Sequence, residues 1–164
     1  MRRFLYLLDS RYLWSRGRAA IFGVIRVSSC FSYFWGLPLP EIDIVFMPQI
    51  SVILPFYNAE RTLERALLSI GGQTFRDYEC ILVDNNSTDR GPALAMDFTR
   101  HNPRFRLVSE TRQGVVPAFQ KGAGRARGKY VARMDADDRM HPERLESQWT
   151  FLERNPEYGA VGGL

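Results

Sequence analysis

The run Ile50 to Phe56, ISVILPF, is almost entirely apolar, and the residues after it, Tyr57-Asn58-Ala59-Glu60, break the run with turn formers. A bounded apolar run of this length predicts a strand buried on both faces. Leu63, Ala66, Leu67 and Ile70 then fall at i, i+3, i+4 and i+7, one face of a helix. Asn58 is the predicted N-cap of that helix, and Gly71-Gly72 stops it. YECILVD, Tyr78 to Asp84, is a second buried strand, followed by turn chemistry in NNSTDRGP. A helix is predicted from about Ala93 to His101, closed by Asn102-Pro103. Phe105 to Glu110 alternates as a third strand, and VVPAFQKGAGRAR reads as a weaker helix diluted by Gly122 and Gly124. KYVARMD, Lys129 to Asp135, is a fourth strand, and Pro142 opens a helix carrying Leu145, Trp149 and Leu152 on one face. YGAVGGL begins a further extended segment.

Strands alternating with helices imply an α/β fold: a mostly parallel open sheet with helices on both faces, Rossmann-like in its layering. Ligands of such sheets bind beyond the carboxyl ends of the strands. Three predicted strands end there in polar residues: Pro55-Phe56-Tyr57-Asn58, Asp84-Asn85-Asn86-Ser87 and Asp135-Ala136-Asp137-Asp138. Parallel pairing would bring all three to one rim.

Residues 1–46 have a different character. They are aromatic-rich with scattered Arg and show no sustained period. The apolar stretch from Ala19 to Pro40 is interrupted by Arg26 and diluted by Ser28, Ser29 and Ser32. It falls short of the roughly 20 clean apolar residues of a spanning helix, and its broken h-region does not suit a signal peptide. Two domains are therefore expected: a poorly patterned segment 1–46, which is disordered, an interfacial anchor or, the favoured reading, lies before a true start at Met47, and a folded domain 47–164.

The net charge of +4 does little to change this picture. Most of the excess lies before Met47, where six Arg face three acids; beyond it, sixteen bases are interspersed with fifteen acids. Such mixing argues against nucleic acid as a partner. Arg125, Arg127 and Lys129 read as a solvated basic face rather than a phosphate clamp. Cys30 and Cys80 match no metal-ligand spacing, and Cys80 is expected to be a buried thiol in a reducing compartment.

The acidic turn carries the chemistry. Asp135, Asp137 and Asp138 would repel one another without a counter-charge. Mg²⁺ suits such a turn, since it takes oxygen ligands at about 2.0–2.1 Å, keeps few protein ligands and bridges to phosphates; Mn²⁺ favours the same ligand type. Asp84 can accept from a base N–H or a hydroxyl, and Tyr57 offers a flat face for stacking. Together these point to a nucleotide whose diphosphate is held through a metal. Each residue also has a plainer reading. The acids can cap the helix after Pro142, Glu60 can complement a helix dipole, and Asp84, Asn58 and Asp89 can be turn or capping residues.

The segments ISVILPFYNAERTLERALLSI, QTFRDYECILVDNNSTD and GKYVARMDADDRMHPERL, in this order, resemble the N-terminal half of a family 2 glycosyltransferase of the GT-A fold. The resemblance runs from about Gln49 to the chain end and rests on four linked motifs: Pro55 to Glu60, Asp84 to Asp89, Gly114 to Ala118, and Asp135 to Asp138. It implies a nucleoside-diphosphate sugar donor, Mg²⁺ or Mn²⁺, inversion at the anomeric carbon, and a saccharide or lipid-linked acceptor. It implies that Pro55, Tyr57 and Glu60 line the nucleoside pocket, that Asp84 meets the base, that Asp135 faces the ribose and that Asp137 binds the metal. A cytoplasmic location at the inner membrane surface, and a role in cell-envelope polysaccharide, are part of the same expectation. The sequence departs from the family pattern at Gln120, where an Asn is usual. The acceptor base is expected beyond Leu164, so that this chain would be a truncated, donor-binding half. The alternative from another class is a non-catalytic α/β nucleotide-binding or signalling domain. A receiver-like module would need acids at the end of the first strand, where Pro-Phe-Tyr-Asn stands. A dinucleotide-binding module would need a Gly-x-Gly-x-x-Gly, which does not follow that strand.

Overall fold

The computed structural model describes residues 47–162 and three short strands before them. Those strands are β1 (Tyr6–Asp9), β2 (Ser32–Phe34) and β3 (Leu37–Leu39). Two compact units result: Ser15–Met47, in which β2 and β3 pair antiparallel, and Met1–Trp14 with Pro48–Leu164. The second unit contains β4 (Ile50–Phe56), α1 (Leu63–Gly71), β5 (Tyr78–Asp84), α2 (Gly91–His101), β6 (Phe105–Ser109), α3 (Val115–Ala123), β7 (Tyr130–Arg133), α4 (Arg144–Arg154) and β8 (Ala160–Gly162).

Its sheet runs β6-β5-β4-β7-β1-β8. The first four strands are mutually parallel, as the strand–helix alternation predicts. Strand β1 is antiparallel to both β7 and β8. The reading of residues 1–46 gave none of them a place in the sheet. The pairing of Tyr6–Asp9 is backbone hydrogen bonding, which four residues can make without any side-chain period to announce it. The remaining expectations about 1–46, the Ala19–Pro40 stretch among them, lie largely outside the described residues. Among the described residues no helix is long and apolar enough to cross a membrane.

Burial explains why these segments take these forms. Every residue of β4 is buried except the half-buried Pro55, and β5 is buried up to Asp84. The four apolar positions spaced along α1 are all buried. They join Ile50, Val52, Leu54 and Leu82 in a core on one face of the sheet. On the other face Ile53, Ile81, Val83 and Val131 pack under Ala118 of α3. Gly122 is buried in that contact, and a Cβ there would meet the Ile53 side chain. The glycine that weakens α3 as a helix is thus what lets it lie close to the sheet.

The element ends correct the sequence reading in detail. Helix α1 starts after Thr62, not after Asn58, and no side chain caps it. Asn58 takes φ +47° and bonds across to another loop. Helix α2 starts two residues early, at Gly91, because Asp89 Oδ1 accepts from the Gly91 amide at 2.9 Å. Helix α3 ends at Ala123, and α4 begins at Arg144 after Glu143.

At the amino-terminal edge of the parallel strands one buried acid joins four segments. Glu79, 3% exposed, accepts from Ser51 Oγ at 2.7 Å, from the Arg127 amide at 2.8 Å and from the Arg127 guanidinium at 2.9 Å. Arg106 pairs with it at 3.1 Å. Arg125, Arg127 and Lys129 therefore lie before β7, at the edge away from the acidic turn; Lys129 pairs with Glu153. Burial pushes the Glu79 carboxyl up, but the bonds from Ser51 and Arg127 and the Arg106 charge outweigh it, so the net shift is downward. A carboxyl held below its unfolded value stabilises the fold fully above that value, about 4.3 for Glu, and the stabilisation fades as pH falls through the folded value. Urea midpoints are expected to fall below about pH 4. In Glu79→Gln the midpoint should be lower at neutral pH, by about 1–3 kcal/mol of stability, with a flatter acid decline. Gly128 gives a second expectation. A Cβ there would sit 2.5 Å from the Ser51 amide nitrogen and 2.7 Å from the Ile50 carbonyl carbon, both backbone. Gly128→Ala should lose about 1–3 kcal/mol in the same denaturation measurement.

Candidate functional site

Order in the sheet creates the site. The chain passes outward from β4 to β5 and β6, then returns to place β7 on the other side of β4. Strand order thus reverses between β4 and β7, the position at which open α/β sheets bind ligands. Beyond the carboxyl ends of these two strands lies a cleft of about 550 Å³ lined by Pro55, Tyr57, Val115, Arg133, Asp135 and Asp137, among others. A second hollow of about 270 Å³ adjoins it, between the end of β4 and α3, lined by Pro55, Phe56, Tyr57, Asn85, Gln113 and Gly114 among others. Tyr57, 52% exposed, belongs to both. A ring that open beside a polar cleft is available for stacking.

Four of the six residues singled out from the sequence, Pro55, Tyr57, Asp135 and Asp137, share the larger cleft. Glu60 lies just outside it. It lines a neighbouring hollow of about 450 Å³ with Asn58, Arg61 and Asp89. Its amide donates to Asp89 Oδ2 at 2.8 Å, and its own carboxylate accepts from the Arg90 amide at 3.2 Å. Asn58 makes a parallel pair of bonds: its Oδ1 accepts from the Thr88 amide at 2.8 Å, and its amide donates to Ser87 Oγ at 3.1 Å. The β4–α1 and β5–α2 loops are therefore latched together by reciprocal side-chain-to-backbone bonds, which fixes where the chain leaves Tyr57. Asp84 ends β5 opposite Phe56, and its Oδ1 accepts from the Ser87 amide at 3.0 Å. That bond closes the turn.

The acidic turn is held from behind by two arginines. Arg65 of α1 donates to the Asp137 carbonyl at 3.2 Å. Arg144 of α4 donates to the Arg133 carbonyl at 3.3 Å. Burial pulls the Arg144 guanidinium down to about 10, and the charge of Asp138 opposes the fall. Within the turn Arg133 donates from Nε and Nη2 to Asp135 Oδ1, at 3.2 and 3.0 Å. The mutual repulsion of the acids is thus relieved by arginines from three elements.

The residues present suit a divalent cation that draws most of its ligands from a nucleotide. Among the described residues no group of three or more His, Cys, Asp or Glu is placed to hold a metal. Asp137, which lines the cleft, matches instead the sparse protein ligation of Mg²⁺ bound with phosphates.

Asn85 has a part that the sequence did not reveal. It is 4% exposed. Its Nδ2 donates to the carbonyls of Glu110 and Arg112 at 3.0 and 2.7 Å, and its Oδ1 accepts from the Gly114 amide at 2.8 Å. Its backbone amide donates to the Phe56 carbonyl at 2.9 Å, and its carbonyl accepts from Gln113 Nε2 at 2.9 Å. One side chain thus shapes the loop that walls the smaller hollow, and Gly114 at its end takes φ +125°, which favours glycine. In sequence, Asn85 is one polar residue in a polar turn; only burial distinguishes it. Gln120, the departure noted above, lies exposed on α3.

A family model described as Glycosyl transferase family 2 matches residues 51–164. The chain belongs to this family. Within it, the chain is 38% identical over 117 residues to a Bacillus subtilis protein named as a glycosyltransferase, EpsE, covering 70% of this chain and 42% of EpsE. An uncharacterized glycosyltransferase of Haemophilus influenzae is 36% identical over 110 residues, covering 66% of this chain and 44% of that protein. The chain thus spans less than half the length of these curated relatives. Among solved structures, Staphylococcus aureus TarS 1–349 in complex with UDP matches with a TM-score of 0.60 and 26% identity, over 66% of this chain and 33% of that one. The Pyrobaculum calidifontis mannosyltransferase PcManGT, in complex with GDP-Man and Mn²⁺, matches with a TM-score of 0.52 and 32% identity, over 57% and 28%. The parallel sheet and its flanking helices are those of GT-A glycosyltransferases.

Removing the Asn85 side chain should free the wall of the smaller hollow. Asn85→Ala is expected to lose about 1–3 kcal/mol of stability through unpaired buried groups. It should also raise amide exchange selectively across residues 110–116, read by hydrogen–deuterium exchange.

Proposed function

We propose that this glycosyltransferase family 2 chain binds a nucleoside-diphosphate sugar and takes part in transferring its sugar, with inversion, to a saccharide or lipid-linked acceptor. The observation that carries the reading is the single cleft shared by Tyr57, Asp135 and Asp137 at the reversal of strand order. The complexes of the solved relatives with UDP and with GDP-Man and Mn²⁺ support it.

In this reading the base enters the smaller hollow, where the Tyr57 ring stacks against it and Asn85, Gln113 and Gly114 form the wall. Pro55 packs beside the nucleoside, and Asp84, the residue before Asn85 at the end of β5, accepts from the base. Asp135 accepts from the ribose. Asp137 would hold Mg²⁺ or Mn²⁺. Glu60 acts at one remove, keeping the loop after Tyr57 latched to the loop after Asp84. The bound metal would offset negative charge on the leaving diphosphate. Inverting transfer also requires a base within hydrogen-bond reach of the acceptor hydroxyl; the cleft residues named here are all assigned to the donor, and none is given that task. A donor of this class is consistent with work at the cytoplasmic face of a membrane, on cell-envelope polysaccharide.

Calorimetry with UDP and GDP, with and without Mn²⁺, tests the reading. One of the two should bind in a metal-dependent manner, and Asp137→Ala should weaken that binding by at least about tenfold, the loss of one charge-assisted contact. Failure of both nucleotides to bind the folded protein in Mn²⁺ would overturn it.

A further inference from the structure

Arg133 stands apart from the rest of its strand. Tyr130, Val131 and Ala132 are buried, whereas Arg133, the last residue of β7, is exposed and enters the cleft beside Tyr57 and Val115. Its place is fixed by the sheet: it pairs with Ile53, and the next amide, that of Met134, donates to the Ile53 carbonyl at 3.0 Å. Its carbonyl is held by Arg144. From this fixed base both donations of the guanidinium go to a single oxygen of Asp135, Oδ1. Oδ2 takes no hydrogen bond among the described residues.

An exposed ion pair contributes little to stability; the Arg133 and Asp135 side chains are 44% and 25% exposed. What the fork does instead is restrict the carboxylate. A guanidinium that donates twice to one oxygen limits rotation of the acid and leaves the second oxygen to accept from something else. We propose that Arg133 is a positioning residue: it orients Asp135 so that Oδ2 receives a ribose hydroxyl of the nucleotide. This rests on the nucleotide-sugar reading above and adds to it a residue that determines how strongly the ribose is recognised.

The test compares the wild type with Arg133→Met and Arg133→Gln. Each is titrated in Mn²⁺ with whichever of UDP or GDP the wild type binds, and with its 2′,3′-dideoxy counterpart. Melting curves confirm that the exposed substitutions leave the fold intact. If Arg133 acts through Asp135 on the ribose, both variants bind the ribonucleotide about tenfold more weakly, while affinity for the dideoxy nucleotide is unchanged. The preference for ribose then collapses. Equal weakening for both nucleotides would show that Arg133 acts on the diphosphate or the fold, and would overturn the proposal, as would no weakening at all. If the wild type binds neither UDP nor GDP, the nucleotide reading itself falls, and this inference falls with it.

Discussion

Parallel pairing of β7 with β4 is the constraint on which the rest of this molecule depends. Four backbone partners, Ile50 to Ile53 against Tyr130 to Arg133, fix the register of the acidic turn relative to Tyr57. The side-chain period of a strand is two, so a slip by one residue would exchange the faces of Val131 and Ala132 and carry Arg133 with Val131 to the opposite side of the sheet. Burial of Val131 on one face and Ala132 on the other prevents that slip. Apolar packing therefore sets where the charged residues emerge, although those residues add little to stability themselves.

The two edges of the sheet use charge differently. At the amino-terminal edge Glu79 is almost fully enclosed, and every donor around it comes from this chain. Such a network ties β4, β5, β6 and the segment before β7 together. At the carboxyl edge the acids are open to the cleft, and arginines restrain the turn mainly through its backbone carbonyls. Carboxylate oxygen is left able to accept from a ligand. The first arrangement stabilises the fold, and the second keeps a polar surface organised.

Loops around the cleft are held by side chains that also look like ligand-binding candidates. Asn58 and Glu60 bond across to residues 87–90, and Asn85 ties the end of β5 to residues 110–114. Buried or reciprocal bonds of this kind fix loops that would otherwise sample many conformations, and so lower the entropy lost when a ligand binds. The rim is held in shape by loop-to-loop hydrogen bonds rather than by a deep cavity.

Much of this was legible in the residues. Continuous apolar runs bounded by turn formers gave β4 and β5 to the residue, because a strand buried on both faces leaves no other pattern. The spacing of Leu63, Ala66, Leu67 and Ile70 gave the buried face of α1. The order of linked motifs gave the family, and the acidic turn gave the edge on which to look. Other features depended on distance in three dimensions. The role of Asn58 as a cross-loop latch, the burial of Asn85 and the pairing of Tyr6–Asp9 beside β7 all involve partners 25 or more residues away in the chain. Local sequence carries no trace of such partners, since an Asn in a polar turn looks the same whether solvent or a second loop satisfies it. Sequence alone determined which segments are buried and which acids stand at strand ends; the tertiary structure decided which of those ends meet, because only strand order in the sheet sets β4 between β5 and β7.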